Sequence, residues 1–214
     1  MTIDFTNPTL AKLLDLLARD GWLDMEWDDM EALADRAGCD FHTGVSKCVF
    51  TCTEWDFVIK VPRYDEGASC DYCQREVSAY QNIISKYPAC APLFCAVEFI
   101  GTYGEINVYA QEKISATLEQ YDYENPDEYD RLYTMAVGEM NINKEFSDLA
   151  NNLRSSSRLN IRFSYLIAQT LGLAVLRFLF NWAQATNEND LHNNNVGFDS
   201  SHNPRIFDFS GWYD

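Results

Sequence analysis

Apolar residues recur at helical spacing near the start of the chain: Leu10, Leu13, Leu14 and Leu17, then, beyond Gly21, Trp27, Met30, Leu33 and Ala34. Side chains three and four positions apart share one helix face, so the pattern predicts two short helices over 8–37. From 38 to 61 the signal changes to β-branched and aromatic runs, which predict strands at 49–53 and 55–61, the second ended by Pro62. A helix is expected at about 69–86, with Val77, Tyr80, Ile83 and Ile84 on one face and Pro88 and Pro92 beyond it. Strands return at 94–100 and 106–112, joined by a turn at 101–104. The stretch 118–130 is acidic and aromatic and holds Pro126, so a surface loop giving way to a helix is expected. Residues 132–153 read as one or two helices and 159–185 as one long apolar helix. Two short strands then flank a turn at 200–204.

This order predicts an α+β fold with a sheet-rich N-terminal lobe, a helical C-terminal lobe and a cleft between them. The expected divisions are a helical extension at 1–37, an N-lobe at 38–113 and a C-lobe at 114–214. No internal repeat and no Gly/Ser linker interrupts them.

Composition narrows the function. With 47% hydrophobic and 14% aromatic residues among 214, a packed core is expected. The formal net charge of −17 argues against direct binding of nucleic acid or of an anionic membrane, which needs clustered Lys and Arg. A polyphosphate site needs only one or two lysines and a metal, so nucleotide remains allowed. The start of the chain lacks a basic segment followed by an apolar run, and its seven cysteines are an odd number. A reducing, cytoplasmic setting with free thiols is the expectation. The most apolar window, 163–182, is broken by Ser164, Gln169, Thr170, Arg177 and Asn181, so no membrane span is expected.

The candidate chemistry lies mostly in the last quarter. Asp190 and Asn195 stand five residues apart in a polar loop, and Asp208 follows thirteen residues later at the end of a short apolar run. Two carboxylates and an amide delivered by one hairpin can hold Mg²⁺ and a nucleotide polyphosphate beside a proton acceptor. Upstream, Lys60 ends an apolar strand and can neutralise phosphate oxygens, and Glu76, sixteen residues on, can orient it. The segment 44–50 reads as strand-turn-strand, where Gly44 and Ser46 can cover phosphates with backbone N–H groups. Glu112 and Ile114 leave the last strand of the first lobe, where a connector can hydrogen-bond an adenine.

Together these residues resemble the protein-kinase-like superfamily, which includes the aminoglycoside phosphotransferases and small phage-encoded kinases. Val58-Ile59-Lys60 is similar to the family's strand lysine and Glu76 to its helix glutamate. Asp190-Leu191-His192-Asn193-Asn194-Asn195 resembles the catalytic loop in the Asp-Leu-His form of small-molecule kinases. Asp208-Phe209-Ser210-Gly211 resembles the metal-binding Asp motif, with Ser before the Gly. The resemblance covers residues from about 38 onward. It implies a bilobal kinase-like fold with a truncated C-lobe and an ATP- and Mg²⁺-dependent transfer of phosphate to a hydroxyl of a protein or small molecule. It implies Asp190 as proton acceptor, Asn195 and Asp208 as metal ligands, and Lys60, held by Glu76, on the α and β phosphates. Glu188 stands where the family usually has His.

Competing readings follow from the same residues. A pseudokinase, or an acidic inhibitor of a partner protein, uses the charge without the chemistry. The acidic stretch 119–128 is most simply a solvated loop. Cys70 and Cys73 form a lone CxxC, for which buried free thiols come before a metal or redox role. His192 reads as a structural loop residue.

Overall fold

The first apolar stripe forms two helices, α1 (Pro8–Asp20) and α2 (Trp27–Ala37). The computed structural model describes residues 3–20, 26–44, 47–62, 71–186 and 191–209. Asn7 caps α1: its Oδ1 accepts the N–H groups of Thr9 at 3.0 Å and Leu10 at 3.1 Å, and also the indole N–H of Trp55 at 3.2 Å. Helix α2 opens with a capping box between Glu26 and Asp29 and stops at Gly38, whose φ of 85° is the left-handed conformation glycine adopts most easily.

The chain is a mixed α+β structure that divides into two compact units. The first comprises Met1–Ser78 and Ala96–Lys113, and the second Ala79–Cys95 and Ile114–Asp214. The first unit holds strands β1 (Asp40–Thr43), β2 (Lys47–Thr51), β3 (Phe57–Pro62), β4 (Val97–Tyr103) and β5 (Ile106–Glu112). They form one antiparallel sheet in the order β1-β2-β3-β5-β4. Alternation sorts its side chains onto two faces. Cys48, Phe50, Ile59, Val61, Val108 and Ala110 point to one face and join a single buried cluster with the leucines of α1 and with Met30 and Leu33 of α2. Helices α1 and α2 therefore share the sheet's core. The expected turn at 101–104 lies later, because Gly101 sits within β4 at a bulge with φ 150° and the strand continues to Tyr103.

Helix α3 (Tyr72–Lys86) follows, then a 3-10 turn at Pro88–Leu93. The second unit contains β6 (Ala116–Thr117), α4 (Leu118–Glu124), α5 (Pro126–Ile142), α6 (Lys144–Ser157), α7 (Ile161–Leu171), α8 (Leu173–Thr186), β7 (Val196–Phe198) and β8 (Pro204–Ile206). Two sequence expectations are corrected here. The acidic stretch is helical at 118–124, because Thr117 and Gln120 cap each other's backbone N–H groups at 3.1 and 3.0 Å. The long apolar helix is two helices, broken at Gly172, whose φ of 93° and ψ of 158° take the backbone out of the helical region. Phe146, Leu153, Phe163, Ile167, Leu176 and Leu179 are fully buried among these helices. Arg162 is buried too: its guanidinium makes a bidentate pair with Asp122 and lies 3.7 Å from the ring centroid of Tyr129. Among the described residues no helix is long and apolar enough to cross a membrane.

The shared core makes a prediction. Leu13 is fully buried against the sheet, so Leu13→Ala should destabilise the first unit by about 2–5 kcal/mol. Chemical denaturation followed through Trp fluorescence reads this. A loss confined to helix signal, with the sheet unfolding unchanged, would mean that α1 is detachable.

Candidate functional site

In the first unit three charged side chains are withdrawn from solvent at one point. Because Ile59 and Val61 take the core face of β3, Lys60 between them must point to the opposite face. The register of β2 against β3 pairs Val49 with Lys60 and Lys47 with Pro62, so Lys47 lies on the same face two positions along. Glu76 of α3 meets both. Lys60 Nζ donates to Glu76 Oε2 at 2.8 Å, and Lys47 Nζ donates to Glu76 Oε1 at 2.6 Å. Side-chain exposure is 4% for each lysine and 0% for the glutamate. Charges this far from water persist only when paired and hydrogen-bonded, and here each carboxylate oxygen takes one ammonium.

Asp71 fixes the start of α3 against the same sheet face. Its Oδ1 accepts the N–H of Gln74 at 2.9 Å, the bond of a helix N-cap. Its Oδ2 accepts the hydroxyl of Tyr109 at 2.6 Å and the amide of Asn107 at 3.1 Å. Tyr109 pairs with Lys60 across β3 and β5, so the anchor and the lysine share a face. Sequence reasoning missed both Lys47 and Asp71. A signal for Asp71 existed in the Asp-x-x-Gln spacing before a helical run. Lys47 becomes visible only once the strand register is known.

The remaining first-unit expectations are less well provided for. Gly44 donates its N–H to Lys47 O at 2.8 Å, closing the β1–β2 connection, and a Cβ at Gly44 would meet that oxygen at an ordinary 3.6 Å. Ser46 lies outside the described residues. Glu112 is tied to Ala96 twice: its N–H donates to Ala96 O at 2.8 Å and its Oε2 accepts the Ala96 N–H at 3.2 Å. Next to it Gln111 is 1% exposed, and its Nε2 has no hydrogen-bond partner among the described residues. Cys73 is fully buried three residues before Glu76, and burial, with the Glu76 carboxylate second, pushes its thiol far above the ordinary range. A protonated thiol is a poor redox nucleophile. Cys70 lies outside the described residues.

The second unit carries the hairpin. Val196 pairs with Ile206, and the N–H of Phe207 donates to Asn195 O at 3.0 Å, so Asp208 follows the residue opposite Asn195. Asn195 is buried and Asp208 half-buried. The Asn195 N–H donates to His192 O at 2.9 Å, and His192 Nδ1 accepts the N–H of Asn194 at 3.2 Å, which gives His192 the loop-shaping role expected of it. Asp190 and Glu188 lie outside the described residues. Gly197 is required: a Cβ there would stand 2.3 Å from Ala116 O on β6 and 3.0 Å from the side chain of Ile114, itself half-buried. At the hairpin tip Asp199 accepts from the N–H groups of Ser201 and Asn203, both at 2.9 Å, and from Arg205 at 3.2 Å. Partial burial raises the Asp199 carboxyl, but the Asn203 and Ser201 donors and Arg205 outweigh it and hold it below the ordinary 3.8.

Asn195 and Asp208 offer an amide oxygen and a carboxylate. This is a hard-oxygen donor set of the kind Mg²⁺ takes when phosphates and waters complete its shell. Among the described residues no group of three or more His, Cys, Asp or Glu side chains is placed to hold a metal on its own.

Two outcomes are expected. Glu76→Gln removes the carboxylate from two buried ammonium groups and should cost about 3–5 kcal/mol, read as a shift in the urea midpoint. An unchanged midpoint would show that the carboxylate does not hold the cluster. For Asp199 the folded value is the lower one, so its contribution is complete above 3.8 and disappears as pH falls through the folded value. The difference in Tm between the protein and Asp199→Asn should therefore close as pH drops below about 4. A difference that persists at pH 2 would contradict the assignment.

No protein-family model matches the chain, and no curated protein matches it.

Proposed function

We propose that the protein is an ATP- and Mg²⁺-dependent phosphotransferase of kinase-like fold, transferring the γ-phosphate to a hydroxyl of a small molecule or protein. One observation carries the reading most: the ion pair between Lys60 on β3 and Glu76 on α3, 2.8 Å long and closed to solvent. That pairing of a strand lysine with a helix glutamate is what phosphoryl transfer in kinase-like proteins uses to position the α and β phosphates. In this reading Glu76 orients Lys60 toward the phosphates, and Lys47 adds a second cation beside it. Asn195 and Asp208 hold Mg²⁺, which when bound neutralises charge developing on the transferred group. Asp190 accepts the proton of the attacking hydroxyl. The reading requires the two units to present Lys60 and Asp208 to one nucleotide.

A second reading is a nucleotide-independent binding protein. It draws on the Gly44 N–H being committed to Lys47 O, which leaves that group no part in covering phosphates.

Thermal unfolding with Mg-ATP and with Mg²⁺ alone separates the two, because a ligand that binds only the folded state raises Tm. With γ-labelled ATP, Asp190→Asn should lower label transfer by about 10²–10⁴-fold while keeping the Mg-ATP shift. No shift with Mg-ATP would favour the binding protein. Transfer persisting in Asp190→Asn would remove the role given to that residue.

A further inference from the structure

A cavity of about 390 Å³ opens within the second unit between α5, the end of α6 and the 191–195 loop, lined by Tyr129, Tyr133, Arg154, Arg158 and Asn193 among others. Its arginines differ from six others in the chain. The arginines at 19, 36, 131, 162, 177 and 205 each meet a carboxylate. Arg154 and Arg158 have no acidic partner among the described residues, in a chain with 33 acidic residues against 16 basic. In such a chain two neighbouring cations without carboxylates stand out, and both line one cavity.

The dipole of α6 gives Arg154 part of a reason, since a cation near a helix C-terminus is favourable. It does not explain Arg158. That residue ends the helix at φ 58° and ψ 18°, a left-handed conformation that glycine or asparagine takes far more readily. The wall is aromatic: the rings of Tyr129 and Tyr133 lie nearly parallel, 7° apart in plane and 6.4 Å between centroids, and Arg162 backs Tyr129 from 3.7 Å. The volume falls in the range of small-ligand pockets.

We propose that this cavity binds a small anion, its phosphate or carboxylate held by Arg154 and Arg158. Binding here does not depend on phosphotransfer, so the two proposals fail separately.

The test is an NMR titration of the full ¹⁵N-labelled chain at low ionic strength, without nucleotide. The probes are glycerol 3-phosphate, inorganic phosphate and glycerol. Both anions should move the amide signals of 154–161 and 193 saturably, and glycerol should not. The double variant Arg154→Gln, Arg158→Gln should weaken both anions by about tenfold or more, since charge-assisted hydrogen bonds are lost. Equal shifts with glycerol, a double variant that titrates like the original, or no saturable shift with either anion would each overturn the proposal. The spectra themselves report whether the variant remains folded.

Discussion

A single carboxylate shared by two ammonium groups sets the terms for the first unit. Glu76 stays fully buried with Lys47 and Lys60 each taking one of its oxygens. The lysines reach it only because strand alternation sends their neighbours to the opposite face. That opposite face must then be covered, and α1 and α2 cover it with leucines. The glutamate must also be held at one height along the sheet. Asp71 does this by capping α3 while accepting from Tyr109 and Asn107. The apolar core, the strand register and the helix cap are thus three conditions of one ionic contact.

The second unit solves a different problem with different means. Its hairpin is short, so packing alone cannot fix it. Polar bonds and one glycine do so instead. Asp199 gathers donors at the tip, Arg205 also reaches Pro92 O at 2.5 Å, and Gly197 lets β6 approach β7 where any side chain would collide. The Phe209 ring, stacked edge-on against Phe94 at 5.5 Å, pins the segment just after Asp208. The result is a buried Asn195 and a half-buried Asp208 at the same end of one small sheet.

Legibility in the sequence followed how local each cause was. Periodicity marked α1, α2 and β5, because the spacing of apolar residues is itself the cause. Lys60 and Glu76 were legible as a pair because each sat on an element the pattern had identified. Lys47 was not, since its place depends on the offset between two strands, which no single run records. That α1 and α2 pack against a lobe was legible, but which sheet face they cover was not, since an amphipathic stripe says that a face is buried but not against what. Gly172 was passed over inside an apolar run, where hydrophobicity outweighed a backbone conformation that glycine adopts readily. The 118–124 segment looked like a loop by composition, yet the Thr117–Gln120 box, a local signal, was present in the residues. Asp190, on which the proposed chemistry leans, lies outside the described residues, and its case stands on sequence alone.

The energetics of Glu76 bear on why such a cluster is there at all. A buried ion pair is a poor device for stability, since well-packed apolar side chains of similar volume do as well or better. The first unit has such side chains in abundance on its other face, so apolar packing was available to it. Keeping three desolvated charges where leucine or methionine would fit points to a use for the charges. A fixed ammonium on a rigid strand, oriented by a carboxylate and held out of water, interacts with phosphate oxygens far more strongly than a mobile surface lysine does. Placement on a strand rather than a loop keeps that geometry within the tolerance that phosphoryl transfer demands. On the proposed phosphotransferase reading, the cost of desolvating Glu76 is the cost of preorganising Lys60.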